Sequence, residues 1–409
     1  MKKIFLYFLV IVYLPAIILI TLYFHLFHSK KIVRLLPINF SRIGGIYQFF
    51  WYQKYKNVKK IDYNYLDIFF IGEDFKHNKF WVKIWKRSFN IQKFTSFWKI
   101  YYLLKKKINY QFNKSIELYS FFQNPHLSKK IQNIFKNISK DEEIKISNSK
   151  APSLTFLKKE LQIGSSYLNR FKTSEYNYIC FHSRDSAYMN SYIPNKDWSY
   201  HNHRDSDINN YEKAIKNLNK KGFVCFRTGS ETKDKLSFKN EKIIDYANSN
   251  DQNDFLDIYL GAKCFMSVYS NCGITVIPEL FDRPIVYTNW PDLSISAFNS
   301  NSLTIFKKYY LRKEKRFLTF REIEKLQITG NISYYNLEKK GIKLIENSSD
   351  EINEAVIENY NRLKGVWKEN DEAIKLQKKF WSLFPHRFIR SKTFRIGSNF
   401  LLKNSELLN

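Results

Sequence analysis

Glycine, proline and cysteine are all scarce in this chain, at 12, 9 and 4 of 409 residues. So few glycines and prolines argue against a fibrous or low-complexity architecture. The four cysteines, Cys180, Cys225, Cys264 and Cys272, include no C-x-x-C pair. Three lie in apolar, strand-like runs, where a free thiol acts as a small hydrophobe. A disulfide framework or zinc site is therefore not expected, and a reducing compartment fits. No G-x-G-x-x-G follows a strand-like run, which argues against a dinucleotide-dependent dehydrogenase. Zinc-finger, RNP-type and K-homology patterns are missing, as is any repeat of 20–50 residues.

Acidic residues are also in deficit. Against 67 Lys and Arg stand 38 Asp and Glu, a formal net charge of +29. One reading is a polyanionic partner: nucleic acid, anionic lipid or acidic glycan. The other is compositional bias, because Asn, Ile, Phe and Tyr are abundant alongside scattered Lys. Hydrophobic residues at 44% allow real cores, so wholesale disorder is not expected.

Residues Ile4 to Phe27 contain no charged side chain, with Lys2 and Lys3 before them and Lys30, Lys31 and Arg34 after. About 20 apolar residues cross a hydrocarbon core. A cleaved signal peptide would have a shorter apolar core and a small-residue cleavage site. We therefore expect residues 1–30 to be an uncleaved, single-pass membrane anchor. The slight basic excess after the segment and the unpaired cysteines place the rest of the chain in the cytoplasm.

A first soluble region is expected over 31–168. Ile38 to Ile46 is an apolar stretch running into the pair Gly44-Gly45, and an amphipathic run follows from Tyr47 to Tyr55. Tyr65 to Gly72 reads as a strand buried on both faces. Strand, helix, strand is a βαβ unit. Residues 110 to 150 are polar and helical in pattern. A second region, 172–310, alternates strands (Tyr176–His182, Phe223–Phe226, Lys242–Ile244, Cys264–Val268, Pro284–Asn289) with helices after Asp207, Asp254 and Gly273. That alternation predicts a parallel sheet covered on both sides. Residues 311–409 read as a helical extension, with amphipathic helices between Glu351 and Phe380, and a basic tail.

In an open parallel sheet, ligands bind beyond the carboxyl ends of the strands. The rule selects three loops: His182 to Tyr188, Arg227 to Ser230, and Ser270 to Gly273. The third opens a helix, whose free amides and dipole favour an anion. Gly273 permits close backbone approach. Arg184 and Arg227 follow strands on the same edge, and a guanidinium grips phosphate as a fork. Two Arg and a helix N-terminus suit a diphosphate without a metal. The blander readings are that Ser270-Asn271 merely caps a helix, that Arg184 and Asp185 form a structural ion pair, and that His182 is a satisfied core residue. Asp205-Ser206-Asp207 matches a metal-holding D-x-D pattern, but Asp207 is well placed as a helix N-cap.

The run His182-Ser183-Arg184-Asp185-Ser186-Ala187-Tyr188 resembles the H-x-R-D-S/T-x-Y signature of a glycosyltransferase family of bacterial surface-polysaccharide biosynthesis. Further blocks fit in order: Arg204 to Ile208 with Tyr211, Phe226-Arg227-Thr228-Gly229, Asp245-Tyr246-Ala247, Asp254 to Asp257, Ser270 to Gly273, and Pro284 to Trp290. The resemblance covers about 176–291, and the N-terminal half only through Arg42-Ile43-Gly44. It implies an α/β GT-B fold: two Rossmann-like domains facing a cleft, acceptor side first. The H-x-R part is also similar to the donor loop of fucosyltransferase-like enzymes. By that likeness Arg184 contacts the donor phosphates, Ser270, Asn271 and Gly273 bind phosphate through backbone amides, and Glu279 binds the ribose. Gly45 departs from a family His, and Asp282 from a family Gly.

The expected activity is metal-independent transfer of a sugar from a nucleotide-diphosphate donor to a glycan or lipid-linked acceptor. Arg184 and Arg227 would stabilise the departing diphosphate. Gly229 would lie beside it, Asp185 or His182 would act as base, and Gly44 and Gly45 would line the acceptor side. No cofactor or metal is called for, and nucleic acid is not an expected partner. The rival expectation is a non-catalytic, membrane-anchored glycan-binding or scaffold subunit of a polysaccharide assembly complex.

Overall fold

The computed structural model describes residues 2–28, 32–46, 49–50, 52–54, 58, 65–72, 78–108, 154–293, 301–326, 332–383 and 395–409. The predicted polar helices of 110–150 lie outside them. The chain forms two compact units, Met1–Thr155 and Phe156–Asn409.

The first unit opens with α1 (Lys2–Phe27), which carries Pro15. It continues with β1 (Ile32–Ile38), β2 (Tyr65–Ile71), α2 (Lys79–Ser88), β3 (Ile91–Gln92) and α3 (Thr95–Ile108). The strands form a parallel sheet in the order β1-β2-β3, with Ile32 opposite Tyr65 and Ile38 opposite Ile71. The apolar run of β2 is explained by cover on both faces. Ile68 and Phe70 join a cluster with Leu35, Ile17 of α1 and Phe97 and Tyr101 of α3. Phe69 points the other way, 4.9 Å from the Phe49 ring. The first strand ends where the sequence reading began it, at Ile38, so Gly44 and Gly45 lie in the turn after its carboxyl end, in a 3₁₀ segment from Ile43 to Ile46.

The second unit contains α4 (Lys158–Asn169), β4 (Tyr178–His182), α5 (Ala187–Tyr192), α6 (Glu212–Lys220), β5 (Val224–Arg227), β6 (Ile243–Ile244), α7 (Asp254–Lys263), β7 (Met266–Tyr269), α8 (Val276–Leu280) and β8 (Ile285–Trp290). Beyond it come β9 (Leu303–Phe306), β10 (Lys308–Leu311), β11 (Arg316–Phe317), α9 (Phe320–Lys325), α10 (Tyr334–Lys339), β12 (Ile342–Ile345), α11 (Ser349–Leu363), α12 (Asp371–Leu383), β13 (Arg395–Ile396) and α13 (Ser398–Lys403). Seven strands make one sheet in the order β13-β9-β8-β7-β4-β5-β6. Every pairing in it is parallel. Numbered along this unit, that is 7-6-5-4-1-2-3, the doubly wound order. Its direction reverses between β4 and β7, the position at whose carboxyl ends doubly wound sheets bind their ligands.

The second unit begins at Phe156 and takes in α4, which the sequence reading placed at the end of the first region. Gly164 explains the docking of α4: a Cβ there would sit 2.0 Å from Tyr259 Cζ of α7. Residues 311–409 are not a separate helical extension. They supply the edge strand β13, a three-stranded antiparallel sheet (β11-β10-β12), and α11. Ile352 and Val356 of α11 are fully buried in the main core. Asn289 in β8 and Asn347 before α11 exchange bonds, each backbone amide donating to the other's Oδ1, at 2.6 and 2.7 Å.

Candidate functional site

The crevice at the sheet reversal is built from the ends of β4 and β7. The Ser270 amide donates to His182 O at 3.1 Å. The Arg184 amide donates back to Ser270 Oγ at 2.7 Å. Both bonds are buried, so the first and third predicted loops are joined. A second layer lies over β4. Ser183 Oγ bonds to Ser206 O and, at 2.8 Å, to Ser206 Oγ. The Ser206 amide donates to Arg184 O at 3.0 Å. Arg204 closes the layer with a fork onto one carbonyl, Nε and Nη2 donating to Asn271 O at 3.2 and 3.0 Å.

Arg184 is 7% exposed. Its Nη1 pairs with Asp205 and donates to His201 O at 3.3 Å. Lys307, immediately after β9, is 4% exposed, and its Nζ donates to the carbonyl of the same Asp205. Burial pushes the Lys307 ammonium down to about 8, Glu346 opposes the shift, and Arg184 adds to it. His203 is held neutral by burial and then by Arg204, Arg184 and Lys307, which bring it down to about 4. Arg204, Arg184 and Lys307 thus all act on His203, and Arg184 pairs with the Asp205 carboxylate. A buried cation is stabilised by an anion beside it.

The other predicted residues are placed as follows. Arg227, at the end of β5, is 1% exposed. Its Nη1 donates to Asp234 O at 2.6 Å and lies 3.6 Å from Asp245 Oδ2. Its buried Nε has no acceptor among the described residues. Arg227 and Arg184 both act electrostatically on His182, yet Arg227 shares the register of Phe181, on the opposite face of the sheet from His182. Asp185 is not paired with Arg184. Its two oxygens accept from the amides of Ala187 and Lys233, both at 2.9 Å, stapling the first loop to the second. His182 Nδ1 lies 2.7 Å from Thr228 O. A carbonyl only accepts, so Nδ1 carries the proton and Nε2 the lone pair. Burial holds this imidazole down to about 4. Gly229 has φ +134, and a Cβ there would come within 3.0 Å of the His182 ring.

Gly273 is exposed and begins a 3₁₀ turn to Thr275, followed by the short α8. The helix expected to run on to Phe281 ends at Leu280. The Glu279 carboxyl accepts from Tyr287 OH of β8, and burial pushes it up to about 8. Asp207 caps the turn after it, accepting from the Asn209 amide at 2.8 Å, as expected. Gly44 and Gly45 belong to the first unit, where a Cβ on Gly45 would meet Asn39 O at 2.8 Å. Among the described residues no group of three or more His, Cys, Asp or Glu is placed to hold a metal.

No family model, curated protein or solved structure matches this chain.

A surface pocket of about 630 Å³ lies between α4 and the start of α7, lined by Tyr167, Arg170, Asp251 and Phe255 among others. None of the predicted residues lines it, and Arg170 and Asp251 already satisfy each other through two bonds. The chemistry-bearing cluster is therefore the one at the sheet reversal. Sequence reasoning missed two of its members, Lys307 and the fork of Arg204. Lys307 was findable, because the carboxyl-end rule applies equally to Leu303–Phe306 once that run is taken as a strand.

Proposed function

We propose that this chain is a membrane-attached glycosyltransferase that takes its sugar from a nucleotide-diphosphate donor and needs no metal. The observation that carries the reading is the convergence of Arg184, Arg204 and Lys307 at the reversal of a doubly wound parallel sheet. A diphosphate leaving group would bring its negative charge to these cations. Arg184 and Lys307 stabilise that charge as the bond to the sugar breaks, which is electrostatic catalysis by groups already in position. Arg227 supports the same edge from β5, and Ser270, Asn271 and Gly273 form its wall. Glu279, set behind Gly273, suits a ribose. In this reading the second unit is the donor domain of a GT-B enzyme. The first, with Gly44 and Gly45 after β1, is the acceptor side, and the acceptor is a surface glycan or its lipid-linked precursor. The exposed apolar α1 agrees with a bacterial inner membrane, and four free cysteines agree with a cytoplasmic catalytic part.

The likeness to polysaccharide-assembly transferases rests on the H-x-R-D-S-x-Y run and its companion blocks. A test is thermal shift of the full-length protein in detergent with nucleoside diphosphates. Stabilisation by one base series, lost in Arg184→Ala, is the expected result. No response to any nucleoside diphosphate sinks the proposal.

One observation favours the second reading, a non-catalytic glycan-binding or scaffold subunit. Neither candidate base is strong as placed: Asp185 spends both oxygens on amides, and His182 is held at about 4. Binding of a nucleoside diphosphate without release of nucleoside diphosphate from any nucleotide sugar would select it.

A further inference from the structure

The N-terminal helix is usually read by length alone. Its packing says more. The stretch Tyr7–Phe27 is long and apolar enough to cross a membrane. Yet one stripe of α1 is taken up by the first unit: Leu9, Val10, Tyr13, Ile17, Ile20 and Phe24 pack on the cluster of Leu35, Ile68, Phe70 and α3. These positions recur at three- and four-residue steps, one face of a helix. Ile17 is 6% exposed. The Tyr13 and Phe97 rings meet edge to face at 5.6 Å. Thr21 Oγ1 donates to Ile17 O at 2.7 Å and lies 2.9 Å from Tyr101 OH.

This contact runs over nearly the whole length that a span would need. At 1.5 Å per residue, the stretch from Leu9 to Phe24 covers roughly 22 Å of a hydrocarbon core about 30 Å thick. Were α1 to cross the bilayer with this packing intact, the β1-β2-β3 sheet would lie at hydrocarbon depth. Lys86 of α2 and Lys93, directly after β3, are exposed on the same unit. Their ammonium groups would then face hydrocarbon, which is strongly unfavourable. Spanning and packing therefore exclude each other.

We propose that α1 lies in the plane of the membrane, with its packed stripe toward the first unit and its remaining faces in the acyl chains. The occupant of those faces is lipid. They present Ile11, Leu19 and Leu26 at 67–71% exposure, without a charge between Ile4 and Phe27. A water-facing side would carry charged residues, and the stretch from Ile4 to Phe27 has none. Beneath a domain and above acyl chains, no side of it meets water. Phe94, just before α3, is also exposed, at 78%. In the sequence the apolar stretch is flanked by Lys2 and Lys3 on one side and by Lys30, Lys31 and Arg34 on the other, charges that anionic headgroups attract. Both ends of the helix then lie on the cytoplasmic side. The inference is independent of the transferase reading and fails or stands without it.

The test uses the full-length chain with an N-terminal epitope extension, made in a bacterial host. External protease is added to intact spheroplasts and, separately, to inside-out membrane vesicles. An in-plane helix leaves the epitope protected in spheroplasts and cleaved in the vesicles. Cleavage in spheroplasts puts the N-terminus on the far side and overturns the proposal, as does an epitope removed during export. Recovery of the protein in the soluble fraction overturns it too. A second arm, Leu19→Lys with Leu22→Lys on the outer face, is expected to lose the membrane-bound fraction while keeping the thermal transition of the parent in detergent. Full retention on membranes by that variant counts against lipid contact at this face.

Discussion

Arg184 forms its ion pair with Asp205, across the loop, and not with Asp185, its neighbour in the chain. The difference sets the chemistry of the crevice. Asp185 is committed to two backbone amides, so it holds loops together. Asp205 is the counter-charge of a cation buried at the end of β4, and it shares that position with Lys307 through its carbonyl.

Removing the counter-charge is therefore expected to strain the site, and an anionic ligand to relieve it. Asp205→Asn should destabilise the protein by about 1–3 kcal/mol, below the cost of breaking a fully buried pair because Asp205 keeps some solvent. The thermal shift produced by a saturating nucleoside diphosphate should be larger in this variant than in the parent. An equal or smaller shift would place the ligand elsewhere.

Lys307→Met tests the cluster from the other side. The ammonium is buried and donates to the carbonyl of Asp205. An apolar replacement of similar length should leave urea stability unchanged or raise it, since desolvation of the charge is no longer needed. Nucleoside diphosphate affinity should fall about 10- to 100-fold, or roughly 1.4–2.7 kcal/mol. A stability loss with unchanged affinity would make Lys307 purely structural.

The same residue predicts a proton count. Lys307 titrates near 8 in the folded, empty protein. A phosphate beside it favours the charged form, so binding raises that value. Between pH 8 and 9, diphosphate binding should take up a fraction of a proton, and at pH 6.5 none from this source. Calorimetry in two buffers of different ionisation enthalpy reads the difference directly. Lys307→Met should abolish the uptake.

His182 and His203 both titrate near 4 in the fold, against about 6.5 when free. Between those values the unfolded chain holds protons that the folded chain does not. Stability should therefore fall as pH drops from about 6.5 to 4 and level off below. His182→Asn should reduce that slope without removing it, because His203 remains. Gly229→Ala acts on the same ring by crowding: its φ of +134 and the 3.0 Å approach to His182 forecast a loss of about 1–3 kcal/mol, measured by urea unfolding.

Much of the second unit was legible because its strands are apolar on both faces. Tyr178–His182, Met266–Tyr269 and Ile285–Trp290 fall within a residue or two of where the apolar runs place them, and so does Tyr65–Ile71 in the first unit. The carboxyl-edge rule then picked out Arg184 and Ser270, which meet. What local reading could not see depends on distant partners. β13 is two residues long and is a strand only because Arg395 and Ile396 lie beside Leu303 and Thr304. Without β13 and β9 in the sheet, residues 311–409 looked like an appendage. The roles of Asp185 and Asp205 were likewise open, since adjacency in sequence suggested one pairing and the fold of the 199–207 segment made another. Arg227 sat on the right edge, but alternation along β5 turns it to the other face.

The stripe by which α1 seals the first sheet has a practical corollary. A shortened protein starting after residue 30, the usual route to a water-soluble sample, would uncover Leu35, Ile68 and Phe70 together. Such a product would self-associate or misfold for want of its lid. Handling the whole chain in detergent or nanodiscs keeps the first unit intact.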